Sequence, residues 1–303
     1  MKSGLIVYGV NNIFTVVSEG MTYLCRIKGK ILRHAEKAYN PLAPGDKVSF
    51  QPSETEPHRG MIIDRIERTN AFIRWNRKRE APQTVAANLD AVVCVASVGT
   101  PPFRPRFIDR VLVAAGSVPA VVGVNKDDRD TEPWEEERIE GYAHIGYEVL
   151  RCSAETGEGV AALRGRIRGL RSVFVGQSGV GKSSLLNHLV PGGGLETGEV
   201  SSKYDRGRHT TKNARLFLTG EAELIDTPGI RQIEIHGVSA EELQHHFPEF
   251  IPHIGECAFQ SCSHREEPDC RIKEAVETGK IQADRYESYL RLFEELRQRE
   301  SYG

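Results

Sequence analysis

Residues 176–183 read Gly-Gln-Ser-Gly-Val-Gly-Lys-Ser, matching G-x-x-x-x-G-K-[ST] at every fixed position. The chemistry this spacing serves is phosphate binding. Gly176, Gln177, Ser178, Gly179, Val180 and Gly181 would wrap phosphate oxygens in backbone N–H groups at a helix N-terminus. Lys182 would bring a point charge to the β and γ phosphates, and the Ser183 hydroxyl a ligand for Mg²⁺. The apolar run 172–175 before the motif reads as a strand, and SSLLNHLV after it reads as a helix. A phosphate cradle requires that strand-loop-helix context.

Asp226-Thr227-Pro228-Gly229 follows a second apolar run, AELI. A carboxylate there could hold Mg²⁺ through water and the Gly229 N–H could meet a γ-phosphate, although D-T-P-G alone also suits an ordinary turn. Between the two motifs, residues 201–212 are polar and aperiodic. A loop of that kind carrying threonine suits γ-phosphate sensing, with Thr211, or alternatively Thr210, as the Mg²⁺ ligand. Asn125-Lys126-Asp127-Asp128 ends another buried-looking strand. There Asp128 could accept hydrogen bonds from guanine N1–H and N2–H₂, which adenine cannot offer. Ser153-Ala154 follows the run EVLRC and could offer a backbone N–H to guanine O6, with Asn125 and Lys126 bracing the loop. The motif order is rotated against the usual one, with the base-reading pair ahead of the phosphate loop. Such a circular permutation is permitted because domain termini commonly lie close together. It also runs D-T-P-G directly into the C-terminal segment, which nucleotide state could then move.

Cys257-x₄-Cys262-x-His264-x₅-Cys270 supplies three thiols and an imidazole, the complement of a closed structural Zn²⁺ site rather than a catalytic one. The surrounding stretch 253–270 is poor in apolar residues, so coordination would supply folding energy there. His245, His246 and His253 read as surface or packing residues.

The elements that must position these residues suggest an α/β protein of three parts. Residues 1–68 hold five short β-rich runs separated by turns, an OB-like barrel that either binds RNA or packs structurally on its neighbour. Residues 69–235 alternate apolar strands (91–96, 120–125, 148–152, 172–175) with helices (107–115, 160–170), the pattern of a doubly wound domain. Residues 236–303 are expected to be helical and zinc-binding, with an amphipathic helix over 282–299. The run RWNRKR at 74–79 sets four cations around Trp75, as either an RNA contact or a solvated linker. Net charge is −2 overall but graded: 10 basic against 7 acidic residues over 1–68, 22 against 21 over 69–235, and 8 against 14 over 236–303. That gradient argues against a uniformly basic RNA-coating protein. Neither a membrane span nor a signal peptide is legible, so a cytoplasmic monomer is expected.

Together, the barrel, the permuted motifs NKDD, SA, GQSGVGKS, RHTT and DTPG, and the zinc spacing resemble the RsgA (YjeQ/YloQ) family of bacterial small-ribosomal-subunit biogenesis GTPases. The resemblance covers nearly the whole chain. It implies GTP hydrolysis stimulated by the 30S subunit during late maturation of that particle, with Mg²⁺ accompanying GTP and one structural zinc. It places nucleotide contacts on 125–128, 153–154 and 176–184. Ile230 stands after D-T-P-G, where Ras-type enzymes carry a water-orienting glutamine, so unaided hydrolysis should be slow. His209 is a candidate for positioning water, or else a loop histidine facing RNA or solvent. Gly179 stands where potassium-activated relatives carry asparagine, so no K⁺ site is expected. The competing readings are an RNA-docking module that nucleotide only stabilises, with negligible turnover, and an ATP-dependent enzyme, against which Asp128 argues.

Overall fold

The computed structural model describes residues 1–28, 41–76, 80–190, 214–227 and 233–302. Five strands open the chain: β1 (Lys2–Val10), β2 (Ile13–Ser18), β3 (Met21–Ile27), β4 (Lys47–Pro52) and β5 (Arg59–Arg65). They close in the order β1-β2-β3-β5-β4-β1, with β3–β5 the parallel pair and the rest antiparallel. This is the five-stranded barrel expected from the turn-punctuated β-rich runs. Alternation drives its closure: β2 buries every second residue, and Ile6, Phe14, Val16, Tyr23, Val48, Phe50 and Ile62 fill the interior.

An antiparallel ribbon follows, β6 (Ala71–Asn76) with β7 (Ala81–Ala87). Arg74, Trp75 and Asn76 therefore sit on a strand and not in a linker, while Arg77, Lys78 and Arg79 lie outside the described residues. The α/β part then runs β8 (Ala91–Ser97), α1 (Pro105–Ala115), β9 (Ala120–Asn125), α2 (Pro133–His144), β10 (Glu148–Arg151), α3 (Val160–Ile167), β11 (Arg171–Gly176), α4 (Lys182–Leu189), β12 (Arg215–Leu218) and β13 (Glu223–Asp226). Its sheet order is β10-β9-β8-β11-β13-β12, parallel except for β12. Every residue of β8 and β11 is buried, because helices cover both faces and a continuous apolar run is what such strands need. Helix α3 stops at Ile167 rather than 170, as Gly169 adopts φ +75° and donates its N–H to Glu221 O.

The barrel meets the α/β sheet through β1 and the ribbon through Gly45. Tyr8 of β1 pairs with Arg215 of β12, and Gly45 nests against β7. Gly45 has φ +94°, and a Cβ there would lie 2.1 Å from Ala87 O. Its carbonyl accepts from Arg171 Nη1 (3.0 Å) and Asn88 Nδ2 (2.9 Å). Next to it, buried Asp46 accepts a two-pronged bond from Arg68 at 2.7 Å on each oxygen.

Beyond residue 233 the chain makes two short 3₁₀ turns (Glu242–His246 and Ile251–His253), α5 (Arg271–Glu277) and α6 (Ala283–Tyr302). Leu243, Phe247, Phe250, Ile272, Tyr289, Leu292 and Phe293 form a separate core against one face of α1. Among the described residues no helix is long and apolar enough to cross a membrane.

Candidate nucleotide site and metal centre

Parallel pairing brings the C-terminal ends of β9, β10, β11 and β13 to one edge of the sheet, the edge where open α/β sheets bind ligands. Asn125–Asp128 leaves β9, Ser153-Ala154 follows β10, Gly176–Gly181 leaves β11, and Asp226 ends β13. The structure thus gathers the described parts of all four motifs, although they are spread over a hundred residues of chain. Strand order reverses between β8 and β11, so the base-type motifs lie on one side of that point and the phosphate-type motifs on the other.

The loop before α4 is held by its carbonyls. Asn125 Nδ2 donates to Val180 O at 2.8 Å, and Lys126 Nζ donates to Gly179 O at 2.8 Å and to Thr100 O. Gly181 turns into α4 with φ +85°, and a Cβ there would lie 2.2 Å from Asn125 Nδ2. Only glycine leaves that approach open. Among the described residues, the backbone N–H groups of 177–179 and 181 meet no acceptor, and N–H groups at a helix N-terminus can meet an anion. Ser183 and Ser184 occupy the first turn of α4, half-buried. Lys182, only 6% exposed, donates to Asp226 Oδ1 at 2.6 Å, and the cross-strand register Phe174–Asp226 sets that approach. Thr227 is buried, with its hydroxyl donating to Phe174 O at 2.6 Å.

On the other side, Ser153 Oγ donates to Asp128 Oδ1 at 2.5 Å, and that bond holds the exposed Asp128 carboxyl below the usual carboxylate range. Asp127 pairs with Arg151 at 2.9 Å. Burial lowers the Lys126 ammonium somewhat. Asn125 Oδ1 accepts from the Ala154 N–H at 3.0 Å, so the amide expected to face guanine O6 is occupied by protein in this conformation. Thr210, Thr211, His209, Gly229 and Ile230 lie outside the described residues.

In the C-terminal part, the ligand atoms of Cys257, Cys262, His264 and Cys270 all lie within 4.8 Å of one another. Cys257 Sγ and Cys270 Sγ are 3.9 Å apart, and His264 Nδ1 is 3.6 Å and 3.3 Å from them. A tetrahedron with Zn–S bonds of about 2.3 Å and a Zn–N bond of about 2.0 Å has edges of about 3.5–3.8 Å, so the cluster fits zinc. Burial pushes the Cys262 thiol up to about 12, and a cation in the cluster is what would make its thiolate the stable form at neutral pH. His264 Nε2 lies 2.8 Å from Gln244 Oε1. That oxygen can only accept, which puts the ring proton on Nε2 and frees Nδ1 to ligate. Tyr286 and Tyr289 donate to the carbonyls of His264 and Ser263 and fasten the loop to α6. Sequence reading did not find Gln244, since nothing local links it to a histidine twenty residues on. His245 and His253 are exposed and half-buried, in line with their reading as surface or packing groups.

Comparison with known proteins agrees with this geometry. Residues 65–236 match the family model described as RsgA GTPase, and residues 3–62 match that of the RsgA N-terminal domain. The small ribosomal subunit biogenesis GTPase RsgA of Chlorobaculum parvum is 44% identical over 85% of this chain and 86% of its own. The protein of that name from Borrelia recurrentis is 39% identical over 98% and 96%. The crystal structure of YjeQ from Thermotoga maritima superimposes with a TM-score of 0.73 at 34% identity, covering 97% of this chain and 98% of that one. YloQ, described as a circularly permuted GTPase, gives 0.71 at 28%, covering 99% and 96%. The permuted motif order, the barrel and these matches have one reading: the chain belongs to the RsgA family of GTPases.

Proposed function

We propose that this protein binds and hydrolyses GTP on the maturing small ribosomal subunit, that the 30S particle stimulates it, and that hydrolysis releases it. The observation that carries the reading is the convergence of four nucleotide motifs on one sheet edge of a chain in the RsgA family. In this reading Asp128 takes the guanine N1–H and N2–H₂, Ala154 turns its N–H from Asn125 to O6, and Lys126 covers the ring. Residues 176–184 hold the phosphates. Lys182 must then leave Asp226, which exchanges one anionic partner for another and keeps the buried ammonium paired throughout. Mg²⁺ bound with GTP would draw charge from the phosphate oxygens, and the Ser183 hydroxyl and Asp226 carboxylate are the hard oxygen donors it prefers. Thr211 (or Thr210) and the Gly229 N–H complete the assignment from sequence, with His209 positioning water.

Residues 1–68 would act as an RNA-binding barrel, 69–235 as the permuted GTPase domain and 236–303 as the zinc-binding domain, in a cytoplasmic monomer. Ile230 cannot orient water, which assigns the missing catalytic help to the particle. Family membership favours turnover over a passive docking module. GTP turnover by the protein alone, with 30S and with 50S subunits tests the proposal. Stimulation by 30S alone is the expected result. Equal stimulation by both would reduce the partner to RNA in general, and GTP binding without stimulation by either would restore the docking module.

A further inference from the structure

We infer that His188 is a positioning residue for guanine recognition, holding the Ala154 carbonyl so that the Ala154 amide meets the base at O6; this rests on the base reading proposed above. His188 lies in the last turn of α4, its ring exposed, with Nε2 2.8 Å from Ala154 O. A carbonyl oxygen only accepts, so Nε2 carries the proton and donates. The backbone of His188 is fixed in turn, because Arg164 of α3 donates to its carbonyl.

Ser153, itself bonded to Asp128 and to Glu158 O, gathers the amides of 155–157 within the loop. Glu155 N and Thr156 N donate to Ser153 Oγ at 3.2 and 3.1 Å, and Gly157 N donates to Ser153 O at 2.9 Å. Ala154 is the exception. Its amide goes to Asn125 and its carbonyl to His188. When guanine takes the amide, Ala154 loses Asn125 as a partner, and the His188 bond is the tether that remains. An eight-residue helix is about 12 Å long. Helix α4 therefore starts at the phosphates with Lys182–Ser184 and ends on the base loop with His188, spanning the nucleotide with one rigid element.

The test compares the full chain with His188→Phe, which keeps a ring without a donor, and His188→Gln, whose amide N–H reaches a similar position. Dissociation constants for GDP, IDP and ADP are read by isothermal titration. IDP keeps O6 but lacks the exocyclic amine that Asp128 would read. His188→Phe should bind GDP and IDP about fivefold more weakly each, the loss of one hydrogen bond, with their ratio unchanged. His188→Gln should bind both within twofold of the unsubstituted protein. GDP affinity unchanged in His188→Phe overturns the inference. A collapsed GDP:IDP ratio also overturns it, since the loop as a whole would then have moved. An unsubstituted protein that fails to prefer GDP over ADP sinks the base reading itself, a different failure.

Discussion

Asn125 uses both ends of its amide, donating to Val180 O and accepting from Ala154 N, so one side chain ties the phosphate loop to the base loop. Gln244 has a comparable place at the candidate metal centre, where it sets which nitrogen of His264 faces the sulfurs. Gln244→Leu keeps the volume and removes the acceptor. Zinc affinity should fall about 10–100-fold, as for other outer partners of metal-bound histidines. Competition with a chromophoric chelator would measure it, with GDP affinity as the control; unaltered zinc retention would deny Gln244 this role. At this scale the sequence is legible where function is local. A phosphate loop or a cysteine cluster is written in consecutive spacing, whereas Gln244 and His188 act on partners that only tertiary packing brings near.

Elements were legible according to how they are buried. Strands β8 and β11, covered on both faces, announce themselves as unbroken apolar runs, and the barrel strands by their turns. The ribbon β6–β7 and helix α2 do not. Arg74-Trp75-Asn76 pairs across the ribbon through residues that read as an RNA contact or a solvated linker, and α2 is a charged helix containing Gly141, against which Gln282 packs. The turn at Gly45 belongs to this scale, because it docks the barrel on β7. Gly45→Ala meets both a backbone penalty of about 1–3 kcal/mol and a carbonyl 2.1 Å away. Gly20 also has a positive φ, but a Cβ there meets nothing within 4 Å. Gly45→Ala should therefore lower the denaturation midpoint clearly more than Gly20→Ala. Equal shifts would mean that the junction yields freely.

Across the whole molecule, a buried ionic network joins the C-terminal part to the α/β part. Asp109 of α1 accepts from Arg138 and Tyr142 of α2 and from Arg285 of α6 (2.7 Å), while Arg285 grips Glu249 at 2.6 and 3.1 Å. Burial disfavours the Arg285 charge, but Asp109 and Glu249 outweigh it and hold the guanidinium firmly protonated. Arg285→Met would leave the Glu249 carboxylate without its arginine and take one of three donors from Asp109, at a cost of about 3–5 kcal/mol. Chemical denaturation together with faster proteolysis of the C-terminal part would report it; an unchanged midpoint would show the network to be dispensable. The network bears on the expectation that nucleotide state moves this segment. Any such motion has to carry α1 and α2 along or break these bonds.

The pairing of Tyr8 with Arg215 has a consequence of another kind. An open sheet presents unpaired backbone along each border, where a second chain can add itself and seed aggregates. In the α/β sheet one border is β10, only four residues long and flanked by the charges of Glu148 and Arg151. The other, β12, has the barrel laid against it, with Val7 sunk into the neighbouring core. Whatever else the barrel contacts, it covers the β12 border where it pairs, and so takes from a second chain part of the edge it would need.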